Sequence, residues 1–128
     1  GGRHIADARH VDDDEAIRSL LSRWLSKSFG VESVLACDGS EALTLARQRF
    51  ESGKRYAVIL MDLIMPVLHG LDCTLQIRTF DKLTPIVAVA SLSDARALQS
   101  CLNSGCQALV AKPLNLAELQ AVIADFIN

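Results

Sequence analysis

Apolar residues follow two periods along this chain. Ile17, Leu20, Leu21, Trp24 and Leu25 recur at i, i+3, i+4, i+7 and i+8, one stripe of a helix that Gly30 closes. Arg18, Ser22, Arg23 and Ser26 occupy the other side. Val31 to Ala36 reads as a short strand, and Asp38-Gly39-Ser40-Glu41 opens a helix that runs through Arg49. Glu51 to Lys54 is a loop. Tyr56 to Met61 and Ile86 to Ala90 are unbroken apolar runs without polar alternation, the pattern of strands covered on both faces. Between them Pro66 interrupts the chain, and Gly70 begins a helix to about Phe80. Asp94 caps a fourth helix ending at Gly105, and Ala108 to Ala111 forms a last short strand. Asn115 caps a final helix with Leu116, Leu119, Ile123, Phe126 and Ile127 on one side.

Strand and helix in alternation predict a doubly wound α/β domain around a parallel sheet. Ile5 to Val11 takes the place of the first of five strands, although Asp7, Arg9 and His10 suit a doubly covered strand poorly. With no linker, repeat or low-complexity stretch, residues 3–128 read as one domain; Gly1-Gly2 is set aside.

Composition narrows the function. Of 128 residues, 50% are hydrophobic and 22% charged, enough apolar material for a core. The formal net charge is −2, and no basic block is longer than Lys54-Arg55, which argues against direct nucleic-acid binding. No apolar run reaches the ~18 residues of a membrane span, and no signal-peptide pattern is present. The four cysteines form no CxxC pair and read as reduced, mostly buried thiols of a cytoplasmic protein.

Candidate chemistry collects at the carboxyl ends of the strands, where open parallel sheets bind ligands. Asp12, Asp13 and Asp14 follow the first strand, Asp62 the third and Lys112 the fifth. Taken singly, Asp13 and Asp14 read as helix caps and Lys112 as a solvated loop residue. Asp62 serves neither a cap nor a turn, and a carboxylate after six apolar residues requires compensation. Together they describe carboxylates around a hard cation such as Mg²⁺, a lysine for phosphoryl oxygens, and a carboxylate nucleophile.

These pieces are Val11-Asp12-Asp13-Asp14-Glu15, Asp38-Gly39-Ser40-Glu41-Ala42-Leu43, Met61-Asp62-Leu63-Ile64-Met65-Pro66 with Gly70, Pro85 to Ala90, and Lys112-Pro113-Leu114. In this order and spacing the chain resembles the receiver domain of two-component response regulators from Val11 onward. The resemblance implies a flavodoxin-like five-stranded parallel sheet of order 2-1-3-4-5. It implies that Asp62 accepts a phosphoryl group from a histidine kinase or a histidine phosphotransfer protein. It further implies Mg²⁺ held by Asp13 directly, by Asp12 through water, by Asp62 and by the backbone carbonyl of Ile64. Lys112 would pair with the phosphoryl oxygens, through a cis peptide to Pro113. The fourth helix, fifth strand and fifth helix would meet an output domain or a second copy. Catalysis would be confined to the domain's own phosphorylation and dephosphorylation, with kinase activity only as part of a larger hybrid histidine kinase.

The chain departs from the family at two switching positions. Five residues after Pro85 a Thr or Ser is usual, and here stands Ala90; strand alternation turns the neighbouring Ser91 to the opposite side. Three residues before Lys112 an aromatic residue is usual, and here stands Leu109. His69, where an acidic residue is common, reads as a solvated loop residue. The alternative is therefore a pseudo-receiver that binds a partner without phosphorylation-driven switching. A Mg²⁺-dependent phosphatase with an aspartyl nucleophile ranks below both, because its usual second Asp would fall at Ile64.

Overall fold

The computed structural model describes residues 15–31, 34–37, 40–63, 70–91 and 95–127. In chain order these form α1 (Glu15–Phe29), β1 (Val34–Cys37), α2 (Ser40–Glu51), β2 (Val58–Asp62), α3 (Gly70–Ile77), β3 (Ile86–Ala90), α4 (Ala95–Ser104), β4 (Ala108–Ala111) and α5 (Leu116–Ile127). The strands lie parallel in the order β1-β2-β3-β4.

The unbroken apolar runs are explained by burial on both sides. Val58 and Leu60 of β2, with Val87 and Val89 of β3, pack with Leu21 and Leu25 of α1 and with Leu119 and Ile123 of α5. The alternate residues Ile59, Met61, Ile86 and Ala88 pack with Ala42 and Ala46 of α2, Cys73 and Ile77 of α3 and Cys101 of α4. Successive side chains of a strand point to opposite faces, so one strand feeds both layers. Full burial of a Leu or Ile side chain is worth about 1.5–3 kcal/mol.

The four described strands keep the relative order expected of them. The expected first strand, residues 5–11, and its place in the sheet lie outside the described residues. The resemblance sets that strand between 34–37 and 58–62. In this structure those two are direct neighbours, with Val34 opposite Val58 and Cys37 opposite Met61.

Several boundaries differ from the periodic reading. β1 includes Cys37, one residue past its expected end. β2 extends through Asp62, because Asp62 stays in register with Val89 and the Leu63 amide donates to the Val89 carbonyl at 3.0 Å. α3 ends at Ile77, and tight i to i−3 bonds from Thr79 and Phe80 turn the chain away. Leu20 and Phe126 are 43% and 38% exposed: the buried stripes of α1 and α5 are narrower than their apolar stripes. Asn115 caps α5 as expected, its Oδ1 accepting from the Glu118 amide at 2.9 Å. Cys73, Cys101 and Cys106 are buried, and burial pushes the Cys106 thiol up to about 11.

Two polar clusters secure the end of the sheet away from the site. Arg78, just past α3, donates from Nε to the Gly105 carbonyl, from Nη1 to the Asp81 carbonyl and from Nη2 to Gln107 Oε1, at 2.9–3.0 Å. The same Gln107 oxygen accepts from the Ile86 amide at 2.6 Å. One guanidinium thus ties α3 to the turn before β4.

Asp81 organises the turn into β3. Its Oδ1 accepts from the Leu83 and Thr84 amides at 3.0 and 3.1 Å, and its Oδ2 accepts from the Thr84 hydroxyl. Burial raises its pKa, but the Thr84 and Leu83 hydrogen bonds and Arg55 outweigh this and hold the carboxyl below its usual range. A depressed folded value means stability that is present above the unfolded pKa of about 3.9 and lost as pH falls through the folded value. Asp81→Ala is therefore expected to lower stability to urea by about 1–2 kcal/mol at pH 7. The deficit should shrink below about pH 4; a deficit independent of pH would show that the charge contributes nothing.

Candidate phosphoacceptor site

The site lies where β2, β3 and β4 end side by side. Asp62 closes β2 and is 3% exposed. Lys112 follows β4 directly, its amide donating to the Ala90 carbonyl at 2.8 Å. β3 separates the two, so they span two strand spacings, roughly 10 Å. The long lysine stem reaches over the end of β3, and Nζ meets Asp62 Oδ2 at 2.9 Å. The Asp62 side chain is 4% exposed and that of Lys112 28%, so the pair opens to solvent on the lysine side. This cation compensates the carboxylate that the apolar run of β2 carries inward. The Lys112–Pro113 peptide is cis, as the resemblance implied.

Of the residues singled out from sequence, the structure thus brings Asp62 and Lys112 together. Asp12, Asp13, Ile64 and His69 lie outside the described residues. Among the described residues no group of three or more His, Cys, Asp or Glu side chains could hold a metal ion. The described part of the site contributes one buried carboxylate at the end of a strand. A carboxylate is a hard oxygen donor, compatible with Mg²⁺ and unlike a soft thiolate site.

The two switching positions flank this pair. Ala90 ends β3 opposite Ala111 and is 7% exposed, with no donor on its side chain. Ser91 is exposed, just past the strand. Leu109 is half-buried and packs against the core layer that holds Cys101 of α4. In sequence Gly70 begins a helix and belongs to the piece from Met61 to Pro66 with Gly70 that helps carry the resemblance. Its close approach to Asp62 arises from tertiary packing and has no signal in the local pattern.

Comparison with known proteins agrees with this geometry. Residues 10–124 match the family model described as the response regulator receiver domain. The chain is 32% identical over 118 residues to the osmosensing histidine protein kinase SLN1 of Saccharomyces cerevisiae, covering 91% of this chain and 10% of that protein. It is 31% identical over 117 residues to the transcription factor SKN7 of Candida albicans, covering 91% and 20%. Among solved structures it is similar to the receiver domain of sensor histidine kinase PA1611 of Pseudomonas aeruginosa, described with a magnesium ion coordinated in the active-site cleft. That likeness has a TM-score of 0.65 at 30% identity, over 88% of this chain and 89% of that one. The chemotaxis protein CheY4 of Vibrio cholerae gives a TM-score of 0.69 at 29% identity, over 90% and 92%.

The chain belongs to the response regulator receiver domain family and has the flavodoxin-like receiver fold. It is a signal-transduction domain of the two-component type, and its relatives include histidine kinases and response regulators. It spans a tenth to a fifth of the two curated relatives above. Among the described residues no helix is long and apolar enough to cross a membrane.

Proposed function

We propose that Asp62 accepts a phosphoryl group from a phosphohistidine on a histidine kinase or a histidine phosphotransfer protein. The observation that carries this reading is the Asp62–Lys112 ion pair across the strand ends. A carboxylate oxygen of Asp62 attacks phosphorus, the phosphorus–nitrogen bond of the donor breaks, and the imidazole leaves with the electron pair. The ammonium of Lys112, already at the carboxylate, neutralises charge on the transferred oxygens. Residues 3–128 form one receiver domain in this reading, acting in the cytoplasm, with no catalysis beyond its own phosphorylation and dephosphorylation. Leu98 and Leu102 of α4, 41% and 46% exposed, lie on an element of the face proposed to meet an output domain or a second copy.

Mg²⁺ completes the site in this reading. Asp13 would hold it directly, Asp12 through water, and Asp62 and the Ile64 carbonyl would supply further oxygens. When bound it supplies positive charge against the phosphoryl oxygens. The test is mass spectrometry after incubation with acetyl phosphate and Mg²⁺. One added phosphoryl group is expected, and none would refute the proposal. Amide NMR titration with Mg²⁺ should shift Asp62 and its neighbours, and Asp13→Ala should abolish the response. Shifts that survive Asp13→Ala would refute the ligand assignment.

A further inference from the structure

Gly70 opens α3 against the backbone of the proposed phosphoacceptor. A Cβ at residue 70 would fall well inside contact distance of the Asp62 carbonyl oxygen, 2.9 Å from Leu63 Cα and 3.0 Å from the Asp62 carbonyl carbon. Its φ is not positive, so space and not conformation requires glycine here. Gly30 and Gly53 have nothing within 4 Å of such a Cβ, and the atoms nearest to it at Gly105 belong to the side chain of Arg78. At Gly70 every obstructing atom is backbone and cannot rotate aside.

Both sides of this contact are held. On the strand side, Asp62 is in register with Val89, and the Leu63 amide bonds the Val89 carbonyl. On the helix side, Cys73 and Ile77 are fully buried, and the Thr74 hydroxyl donates to the Gly70 carbonyl at 2.9 Å. A methyl group at residue 70 must therefore part the first turn of α3 from the end of β2.

We propose that Gly70 is a positioning residue: by letting α3 rest directly on the Asp62 peptide, it fixes the Asp62 carboxylate against Lys112. The proposal rests on Asp62 being the phosphoacceptor. A misplacement of about 1 Å at a reacting group is enough to lower a rate roughly 100-fold.

The test compares Gly70→Ala with Gly53→Ala. The latter strains a left-handed residue, φ 82°, in the loop between α2 and β2 without a contact to Asp62. Both are assayed at a temperature where circular dichroism shows them folded. Gly70→Ala is expected to lower the maximal rate of phosphoryl uptake from acetyl phosphate roughly 100-fold, with the half-saturating donor concentration unchanged. Gly53→Ala should leave both parameters alone. A wild-type maximal rate in folded Gly70→Ala would overturn the proposal, and so would an equal loss in Gly53→Ala. If Gly70→Ala does not fold, Cys73→Leu adds bulk beneath the same turn and lifts α3. A loss of about tenfold or more is then expected, and an unchanged rate overturns the proposal. Carbon-13 NMR of the Asp62 carboxyl separates this question from the phosphoacceptor reading. Should the unmodified protein take up no phosphoryl group, that reading fails. Gly70 is then judged by the carboxyl resonance alone, which must move in Gly70→Ala, or in Cys73→Leu if Gly70→Ala does not fold.

Discussion

Asp62→Asn should take up no phosphoryl group from acetyl phosphate or from a phosphohistidine donor. The amide keeps the size of the side chain but loses the anionic oxygen that attacks phosphorus. Size matters here, because residue 62 is 3% exposed and sits between filled layers. The substitution also removes the anionic partner of Lys112, whose Nζ lies 2.9 Å from Asp62 Oδ2. An amide oxygen can still accept from that ammonium, so the fold should survive with a modest change in stability. The measurement is intact mass with and without donor, beside circular dichroism of the same samples. Undiminished incorporation in a folded Asp62→Asn protein would place the acceptor elsewhere.

The second large effect concerns the response to phosphorylation. A receiver switches only if some interaction differs between its two states. At the end of β3, Ala90 offers no hydroxyl to a phosphoryl oxygen, and Ser91 is exposed beyond the strand. A hydrogen bond to a charged acceptor is worth about 1.5–3 kcal/mol. Its absence weakens a population shift roughly tenfold or more, since 1.4 kcal/mol is a factor of ten. Leu109 adds to this, being packed against the layer beneath α4 with no ring to reorient. With Mg²⁺ and beryllofluoride, amide shifts should therefore be large at Asp62 and Lys112 and small across α4 and β4. Ala90→Thr combined with Leu109→Tyr should enlarge the distal response. Large cooperative shifts through residues 95–111 of the unmodified protein would refute this account.

What could be read from sequence followed from how local each signal was. The runs at 56–61 and 86–90 announced doubly covered strands, because a strand flanked by two apolar layers has no polar position to spare. The carboxylate after the first run and the lysine after the last strand were then both legible as strand-end residues of one site. Parallel topology sets strand ends side by side, and the ion pair follows. Other features had no such local trace. Leu20 and Phe126 fit their helical stripes but are exposed, because a stripe's width does not record how much of it the rest of the fold covers. The Arg78 cluster joins groups 27 and 29 residues apart through an ordinary charged side chain. The approach of Gly70 to Asp62 depends on how a helix settles on a strand, which no pattern of polarity records. The pairing of 34–37 with 58–62 likewise depends on partners rather than on either segment alone.

The sheet is also a partition. Its alternating side chains assign one apolar set to α1 and α5 and another to α2, α3 and α4, with the strands as the common wall. Side chains on opposite sides of a wall share few neighbours, and substitutions without shared neighbours combine almost independently. The two compartments are therefore free to diverge separately. Packing on the α1–α5 side can be revised while the packing that seats α3 against Asp62 stays as it was. In such a domain, the packing behind the phosphoacceptor and the packing on the far side of the sheet answer to different selective pressures.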